Sequence, residues 1–311
     1  MRAAVIVGAA WCSLLLAGCS SAPPAAGQPL EPPRTYRAPY ATWPPRLMHA
    51  GLNAGGWEKA PFTQDFVDIE GPVRPAPAYR TRVKMMWDDR NLYVAAELQD
   101  PDVWATLLTH DQIIFHDNDF EVFIDPDSDC REYYEIEVNA LGTVFDLFLH
   151  QTYIAGGPAV HGWDAAGLKV DVLVNGLLNN PRALDQGWLV QLTIPWRALQ
   201  PPQAAPELRG KAGFGDATRA GAAPGVNEVW RINFSRVQWR HNYEVLDQNN
   251  QRVGPASDAL RNPPPLANGA PVTPAPYAKV PNLPEDNWVW SPQWAVNMHL
   301  PQYWGRVTFV R

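Results

Sequence analysis

The chain has 311 residues, of which 46% are hydrophobic and 18% are charged, and its formal net charge is −7. This composition excludes an extensively disordered chain and allows a substantial core. The acidic balance and the lack of Lys/Arg runs exclude binding through phosphate neutralisation, so we expect no nucleic-acid partner. The 14 Trp residues exceed ordinary usage and suit either a β-sandwich core or stacking on sugar rings.

The N-terminus has the features of a secretory signal peptide over residues 1–18. Arg2 precedes an apolar run through Leu16, and the segment is too short to span a bilayer. Leu-Ala-Gly-Cys at 16–19 resembles the bacterial lipobox, which implies cleavage before Cys19 and lipidation of that residue. Ser20 implies sorting to the outer membrane if the source is Gram-negative. The alternative is an ordinary secreted protein with a chance cysteine.

The mature chain is expected to begin with an extended tether. Residues 19–45 are dominated by Pro, Ala and Ser, a composition typical of semi-extended linkers that hold a domain away from a surface. Because Cys12 leaves with the signal peptide and Cys19 carries lipid, Cys130 has no intrachain disulfide partner. The folded domain is therefore predicted over residues 46–311.

The rest of the chain reads as short strands separated by turn residues. One helical turn is predicted at Pro195–Leu199, and no βαβ rhythm is visible, so we predict an all-β fold, an antiparallel β-sandwich. Residues 247–284 are rich in proline without apolar periodicity and are predicted to be a long irregular insertion. The predicted strands are 62–69, 80–87, 91–98, 119–125, 132–139, a third central strand ending at 149, 168–174, 187–194, 211–216, 228–237 and 306–310.

The two central strands carry acids on one face. Apolar residues alternate with carboxylates in 119–125 and 132–139, so one face of each strand belongs to a core and the other presents Glu121, Glu135 and Glu137. We expect these acids to lie within several ångströms of each other. Such acids accept sugar hydroxyls, bind a cation or form a solvated face. Because glycoside hydrolysis needs two carboxyl groups, Glu121 and Glu137 are also the candidate acids of a hydrolase.

The turn after the first central strand has acids at alternate positions. Asp125, Asp127 and Asp129 resemble the start of a calcium loop, but the EF-hand glycine and glutamate are replaced by Cys130 and Ile136. We therefore predict turn capping here and keep a calcium ion as the alternative. The seven His residues are never at metal-ligand spacing along a strand, and the common catalytic motifs are missing.

Five segments occur in the order found in one known family. The chain resembles family 9 carbohydrate-binding modules over residues 46–311, with 247–284 as an unmatched insertion, and looks like a stand-alone family 9-like lipoprotein. The segments are VKMMWDDRNLYV at 83–94, NDFEVFID at 118–125, YYEIEVNALG at 133–142, WLVQLTIP at 188–195 and WSPQWAVNMHLPQYWG at 290–305.

The resemblance implies a β-sandwich that holds a sugar chain end between two Trp rings, with charged side chains on the hydroxyls and a structural calcium ion as a candidate. The first stacking position is Phe115 here, and the acid is Glu121. The position of a basic residue is taken by Glu137, and the second stacking position falls at Met298 or His299. Trp288 and Trp294 precede that position and are candidate platform residues, whereas Trp290 is expected in the core.

The leading interpretation is non-catalytic carbohydrate binding by a membrane-tethered envelope lipoprotein linked to polysaccharide or glycan utilisation. Its expected partners are an oligo- or polysaccharide, the membrane through its lipid anchor, and glycoside hydrolases; no cofactor is required. Two alternatives are an envelope scaffold protein that has lost sugar binding and a glycoside hydrolase using Glu121 and Glu137.

Overall fold

The computed structural model describes residues 31–202, 205–208 and 220–311. The predicted signal peptide, Cys19, the first part of the tether and the predicted strand 211–216 lie outside the described residues. Among the residues that are described, no helix has the length and apolar character needed to cross a bilayer.

The chain forms an antiparallel β-sandwich with short 3₁₀ turns and one short helix, as predicted. The helix, α1, spans Asp258–Arg261. In chain order the strands are β1 (Thr35–Pro39), β2 (Val67–Asp68), β3 (Thr81–Trp87), β4 (Asn91–Leu98), β5 (Asp119–Asp125), β6 (Tyr133–Asn139), β7 (Val144–Leu149), β8 (Ala159–Val160), β9 (Lys169–Asn175), β10 (Gly187–Pro195), β11 (Val229–Gln238), β12 (Glu244–Leu246), β13 (Arg252–Pro255), β14 (Asp286–Val289) and β15 (Gly305–Val310).

The larger sheet has the strand order β1-β15-β11-β5-β6-β7-β8, with β14 paired to β11 and β2 paired to β14. The smaller sheet has the order β3-β4-β10-β9, and β12 and β13 form a separate hairpin. All these pairs are antiparallel except β1 with β15. A tight turn joins β3 to β4, and in it the Asp88 carboxylate accepts the N–H groups of Arg90 and Asn91.

The main core lies between the inner faces of the two sheets. The alternation in β5 directs Phe120, Val122 and Ile124 inward, where they are buried together with Val94 and Val190 of the smaller sheet. Trp290 is buried there, as expected, and so are Trp87 and Trp188.

The outer face of the larger sheet is covered as well. Phe123 and Tyr133 project from this face and pack in a second buried cluster with Ile114, from the connection before β5, and Trp304, from the connection after β14. These two connections therefore cover the outer face of the larger sheet. The carboxylates of β5 and β6 consequently lie under protein instead of facing open solvent.

The predicted tether is wrong at its C-terminal end. Residues 35–39 form β1 and pair in parallel with β15. The Tyr36 ring is buried, and its hydroxyl donates to the Pro61 carbonyl at 2.7 Å and accepts the Met85 N–H at 3.1 Å. The folded domain thus begins before residue 46, because a short strand with alternating burial follows the proline-rich stretch.

The predicted strand 62–69 is also mostly wrong, since only Val67–Asp68 is a strand. The Thr63 and Phe66 N–H groups do bond to carbonyls of β3, but the Thr63 hydroxyl accepts the Val83 N–H in place of a backbone carbonyl. The helical turn predicted near Pro195 is present as a 3₁₀ turn at Trp196–Ala198.

The proline-rich segment 247–284 is attached to the sandwich by specific contacts. It contributes β13 and α1, and Arg261 at the end of α1 forms a buried ion pair with Asp102 at 2.7 Å. The Tyr277 hydroxyl donates to the same carboxylate at 3.2 Å, and the Tyr277 ring stacks on Trp104. The insertion is therefore irregular in its middle but joined at both ends to the connection after β4.

Candidate functional site

Four carboxyl groups meet on the outer face of the larger sheet. Glu121 of β5 lies directly opposite Glu137 of β6, and Asp119 and Glu135 project from the same face. Carboxylate oxygens of Asp119, Glu121 and Glu137 all lie within 4.8 Å of one another. All four residues are buried. We call Asp119, Glu121, Glu135 and Glu137 the acid floor.

Burial and mutual repulsion keep protons on the acid floor. Burial is the main cause that raises the pKa of each carboxyl, and it brings Glu121 to about 7. The Glu121 charge is the next contribution for Asp119, Glu135 and Glu137, whose pKa values are raised well above their ordinary values. The raised pKa values favour protonated carboxyl groups in the floor, and a protonated carboxyl group both donates and accepts hydrogen bonds.

The floor is only partly satisfied by the protein. Glu137 Oε2 accepts the Phe115 N–H at 3.0 Å, and Asp119 Oδ1 accepts the Val237 N–H at 3.0 Å. Among the described residues, the buried atoms Asp119 Oδ2 and Glu135 Oε2 have no hydrogen-bond partner, although His299 Nε2 lies 3.9 Å from Glu135 Oε2. Because unpaired buried polar atoms are costly, these two oxygens mark places where a ligand group would be stabilised.

Two exposed aromatic rings stand beside the acid floor. Phe115 is 37% exposed, and its backbone N–H is the group bonded to Glu137. Tyr153 is 48% exposed; burial of its hydroxyl, followed by the charges of Glu135 and Glu137, raises the pKa of Tyr153 to about 12. Phe115 was expected from the sequence, but Tyr153 was not. It lies in a 3₁₀ turn between β7 and β8, where no strand periodicity points to it.

His299 and Met298 lie at the edge of this site. The His299 ring packs edge-on against Tyr153, 4.6 Å between centroids, and its Nδ1 lies 3.1 Å from the Tyr133 hydroxyl. Burial lowers the pKa of His299 to about 4, so the imidazole is neutral at physiological pH. Met298 is half-buried and packs against the second core cluster. Neither side chain offers an open ring face of the kind expected for a second stacking position, whereas the neighbouring Tyr153 ring is exposed.

The interpretation of Trp288 as a platform residue is wrong. Trp288 is 3% exposed and pairs with Arg236 on β11, whereas Glu121 pairs with the preceding Ser235, so Trp288 faces the inner side of the sheet. The guanidinium groups of Arg236 and Arg252 lie 5.2 and 5.3 Å from its ring. A ring enclosed in this way has no face for a sugar.

Trp294 is half-buried, and its contacts are with residues outside the acid floor. Its backbone N–H donates to the Ile69 carbonyl at 3.0 Å, and its ring lies so close to Gly71 that a Cβ there would be 2.7 Å from it. No contact among the described residues joins Trp294 to Glu121 or Glu137. The cluster of Trp residues near 290 thus contributes mainly packing, as Trp290 and Trp304 are fully buried.

A model of the family named carbohydrate family 9 binding domain-like matches residues 51–214. The match covers more than half of the chain. The chain belongs to this family. It is a family of non-catalytic binding modules. No curated protein matches the chain.

Solved structures resemble the whole sandwich at low sequence identity. A protein from Bacteroides uniformis ATCC 8492 to which carbohydrate binding is ascribed is 12% identical with a TM-score of 0.53, and the likeness covers 89% of this chain and 99% of that one. A family 9 module from Caldicellulosiruptor kristjanssonii, in complex with cellotriose, is 12% identical with a TM-score of 0.46, covering 89% and 94%. The module from that organism in complex with glucose is 13% identical with a TM-score of 0.47, covering 89% and 97%.

The part of the chain that matches the family 9 model contains the acid floor and both exposed rings. Phe115, Glu121, Glu137 and Tyr153 lie within 51–214, whereas the Trp-rich segment near 290 lies outside it. The family match therefore includes the residues that the geometry favours for ligand binding and leaves out the Trp-rich segment.

The turn at Asp125, where the sequence left calcium binding as an alternative, has few carboxylate oxygens that are free to bind an ion. Oxygens of Asp125, Asp127 and Asp129 lie within 4.8 Å of one another. However, the two Asp125 oxygens accept the Ser128 and Cys130 N–H groups, and Asp129 accepts the Arg131 N–H. Calcium takes six to eight oxygen ligands, and these oxygens already serve backbone donors. The turn-capping prediction is confirmed, and calcium here stays a prediction.

Proposed function

We propose that the protein binds carbohydrate without covalent change, at the acid floor beneath Phe115 and Tyr153. The observation that carries the proposal is the placement of buried, partly unsatisfied carboxyl groups directly beside two exposed aromatic rings. A sugar ring has hydroxyl groups that donate and accept hydrogen bonds and a C–H face that packs on aromatic rings. Membership of the carbohydrate family 9 binding domain-like family supports the same ligand class.

In this proposal each part of the site has one role. Tyr153 and Phe115 cover the apolar face of the sugar. Asp119 Oδ2 and Glu135 Oε2, which have no hydrogen-bond partner among the described residues, accept sugar hydroxyls. Protonated Glu121 and Glu137 donate to hydroxyl oxygens. Because these carboxyl groups are buried, each such hydrogen bond forms in a low-dielectric environment, where it is stronger than in water.

The same geometry disfavours hydrolysis. Glycosidases place an acid and a second carboxylate about 5–9 Å apart, flanking the scissile bond. Glu121 and Glu137 are cross-strand neighbours whose oxygens lie within 4.8 Å of one another, in the floor of the site and buried. Both carboxyl groups therefore lie on the same side of a bound sugar and do not flank its glycosidic bond. This placement supports binding over catalysis.

We extend the proposal to the cell envelope. Leu-Ala-Gly-Cys at 16–19 supports lipidation of Cys19, and Ser20 supports the outer membrane of a Gram-negative source. A tethered binding module of this kind would hold glycans near the hydrolases that cut them, and we therefore include polysaccharide utilisation in the proposal.

The test of binding begins with a glycan array probed with the full chain, followed by calorimetric titration of each hit. Tyr153→Ala is expected to weaken binding about 5- to 150-fold. This range corresponds to ~1–3 kcal/mol, the loss found when an aromatic residue that stacks on a nucleic-acid base is replaced by alanine. Glu137→Gln is expected to weaken it by less, since the amide keeps one donor and one acceptor. The matched control is Trp43→Ala, because Trp43 is 81% exposed in the segment that packs on the smaller sheet.

The other functions give different results. If no glycan binds, the scaffold alternative replaces the proposal. If Tyr153→Ala and Glu137→Gln both bind like the wild type, the sugar site lies elsewhere and the proposed site is wrong. Release of reducing ends from a hit, abolished by both Glu121→Gln and Glu137→Gln, would establish a hydrolase.

The anchor is tested separately from the sugar. Intact-mass analysis of the mature protein should show acylation at Cys19, and Cys19→Ala should shift the protein from the detergent phase to the aqueous phase or leave it unprocessed. An unmodified N-terminus at another residue would contradict the lipobox interpretation while leaving the sugar-binding proposal intact.

A further inference from the structure

A histidine and three aspartates converge at the edge of the sandwich, away from the acid floor. His110 and Asp111 come from the connection between β4 and β5, Asp146 comes from β7, and Asp164 comes from the connection between β8 and β9. Their ligand atoms all lie within 4.8 Å of one another. Asp146 pairs with Ile136, a core residue, so it projects from the inner face of the larger sheet, opposite to the face that carries Glu121 and Glu137.

The backbone fixes the orientation of the His110 ring. Nδ1 lies 3.0 Å from the Val144 carbonyl oxygen, which requires that Nδ1 carries a proton and donates it. The same carbonyl accepts the Asp111 N–H at 3.1 Å, so the two neighbours are held together. Metal-ligating histidines usually donate their second ring N–H to a carbonyl or carboxylate in this way, which leaves the other nitrogen free to bind the ion.

The Nε2 atom of His110 faces three carboxylate oxygens. Its distances to Oδ1 of Asp164, Asp111 and Asp146 are 3.0, 3.5 and 3.8 Å. In a tetrahedral site with bonds of ~2.1 Å, neighbouring ligand atoms are ~3.4 Å apart. The three nitrogen–oxygen distances bracket this value, and all the ligand atoms lie within 4.8 Å of one another, so the set would have to adjust its spacing to bind an ion.

Asp146 gives an independent sign that something is bound here. Its side chain is 2% exposed, and Oδ2 accepts the Ala165 N–H at 2.7 Å. Oδ1 is buried and has no hydrogen-bond partner in the part of the chain that the structure describes, although it lies 3.8 Å from His110 Nε2. A buried carboxylate oxygen without a donor is costly, and a cation would satisfy it.

A cavity of about 440 Å³ opens beside this group. His110, Asp146 and Asp164 form its polar side, and Leu168 and Val170 form part of its apolar side. The cavity offers space for water molecules that would complete the coordination of an ion. An exposed cluster of acids without such a cavity would be solvated instead.

We propose that His110, Asp111, Asp146 and Asp164 bind one divalent first-row transition-metal ion, of which Zn²⁺ and Mn²⁺ are the test cases. A neutral imidazole with three carboxylates suits such ions, whereas Ca²⁺ takes six to eight oxygen ligands and Mg²⁺ prefers oxygen alone. Three carboxylates around one point carry a charge of −3, which a divalent ion reduces to −1. The bound ion ties the β4–β5 and β8–β9 connections to β7, and the first of these connections also carries Phe115.

The experiment uses the full chain purified without a histidine tag and treated with chelator. Calorimetric titration with Zn²⁺ and with Mn²⁺ should show one site per chain, and the melting temperature should rise with the logarithm of free metal. Ca²⁺ and Mg²⁺ should bind at least tenfold more weakly. X-ray absorption of the Zn²⁺ form should show one imidazole nitrogen among oxygen ligands.

Variants assign the binding to these residues. His110→Gln and Asp146→Asn should each weaken Zn²⁺ binding at least tenfold, and Asp164→Asn gives a third, exposed position if a buried change impairs folding. The matched controls are His161→Gln, an exposed histidine near Asp164, and Asp171→Asn, an exposed acid on β9; both should bind like the wild type.

Three outcomes would overturn the proposal. Failure to bind Zn²⁺ or Mn²⁺ at millimolar concentration would make the group an ion-pair network around His110. Unchanged affinity in the His110 and Asp164 variants would place the metal elsewhere. Tighter binding of Ca²⁺ than of either transition metal would contradict the assigned class of ion.

Discussion

Trp288 and Tyr153 show how differently the fold treats two large aromatic side chains. Trp288 packs edge-on against Tyr79, 6.1 Å between centroids, and lies between the guanidinium groups of Arg236 and Arg252. Arg236 is itself buried and forms an ion pair with Asp100 at 3.1 Å. The ring is therefore part of the environment that makes two buried cations tolerable.

Trp288→Ala is expected to lower the free energy of unfolding by ~3–5 kcal/mol, because it opens a cavity and removes the aromatic ring that faces two guanidinium groups. Tyr153→Ala, by contrast, should leave the melting temperature nearly unchanged. Chemical denaturation of both variants, with Trp43→Ala as the exposed control, measures the difference. A Trp288→Ala protein as stable as the wild type would return Trp288 to the candidates for a ligand platform.

The sequence predicts the carboxyl half of the site better than its aromatic half. Glu121 and Glu137 follow from a period of two in adjacent strands, a local pattern that also determines which face each residue takes. Tyr153 and His110 lie in connections, and their neighbours come from distant parts of the chain. No local spacing signals such contacts, which is why the scattered histidines gave no indication of a metal site.

At the scale of elements, strands with regular alternation are predicted well and strands defined by their partner are not. The bounds of β4 and β5 agree with the prediction, and β10 ends one residue later than predicted. β1 follows a proline-rich stretch, and its identity as a strand depends on pairing with β15, almost the whole chain away. The order of strands within each sheet depends on such long-range pairing and does not follow from the sequence pattern.

β1 is expected to be a structural strand, and one substitution distinguishes this from a tether. Tyr36→Ala removes a buried ring that packs edge-on against Trp290 and a hydroxyl bonded to Pro61 and Met85, so it should cost ~3–5 kcal/mol. Arg37→Ala, at the adjacent exposed position of the same strand, should change stability by less than ~0.5 kcal/mol. Equal melting temperatures for the two variants would indicate that residues through 45 are a tether after all.

At the scale of the whole molecule, burial of carboxyl groups shapes the response to pH. Besides the acid floor, burial is the largest cause that raises the pKa of Asp68 and Asp146 to about 6 and of Asp125 and Glu244 to about 7. Each of these groups stabilises the fold fully below its unfolded pKa, near 4, and loses that contribution as pH rises through its folded pKa.

Two buried histidines act in the opposite direction. Burial lowers the pKa of His241 to about 3 and of His299 to about 4, so their contribution is present above pH 6.5 and is lost as pH falls. Between about pH 7.5 and 8.5 both histidines are largely neutral in the folded and in the unfolded protein. In that window the carboxyl groups with folded pKa values near or above 7 determine the slope, and stability should fall as pH rises.

The variant Glu121→Gln isolates the contribution of one carboxyl group to the pH dependence of stability. The amide stays neutral, so the variant avoids the cost of ionising a buried carboxyl, and its stability relative to the wild type should increase as pH rises from about 4.5 to about 7. The shift of Glu121 from 4.5 to about 7 corresponds to a relative gain of up to about 3 kcal/mol. Urea denaturation of both proteins at pH 5, 6, 7 and 8 gives this difference directly, and Asp171→Asn, an exposed acid, should show a nearly constant difference. If the Glu121→Gln difference is also constant with pH, water reaches the acid floor and Glu121 is ionised in the native protein, so a sugar there would meet carboxylates that accept hydrogen bonds without donating them.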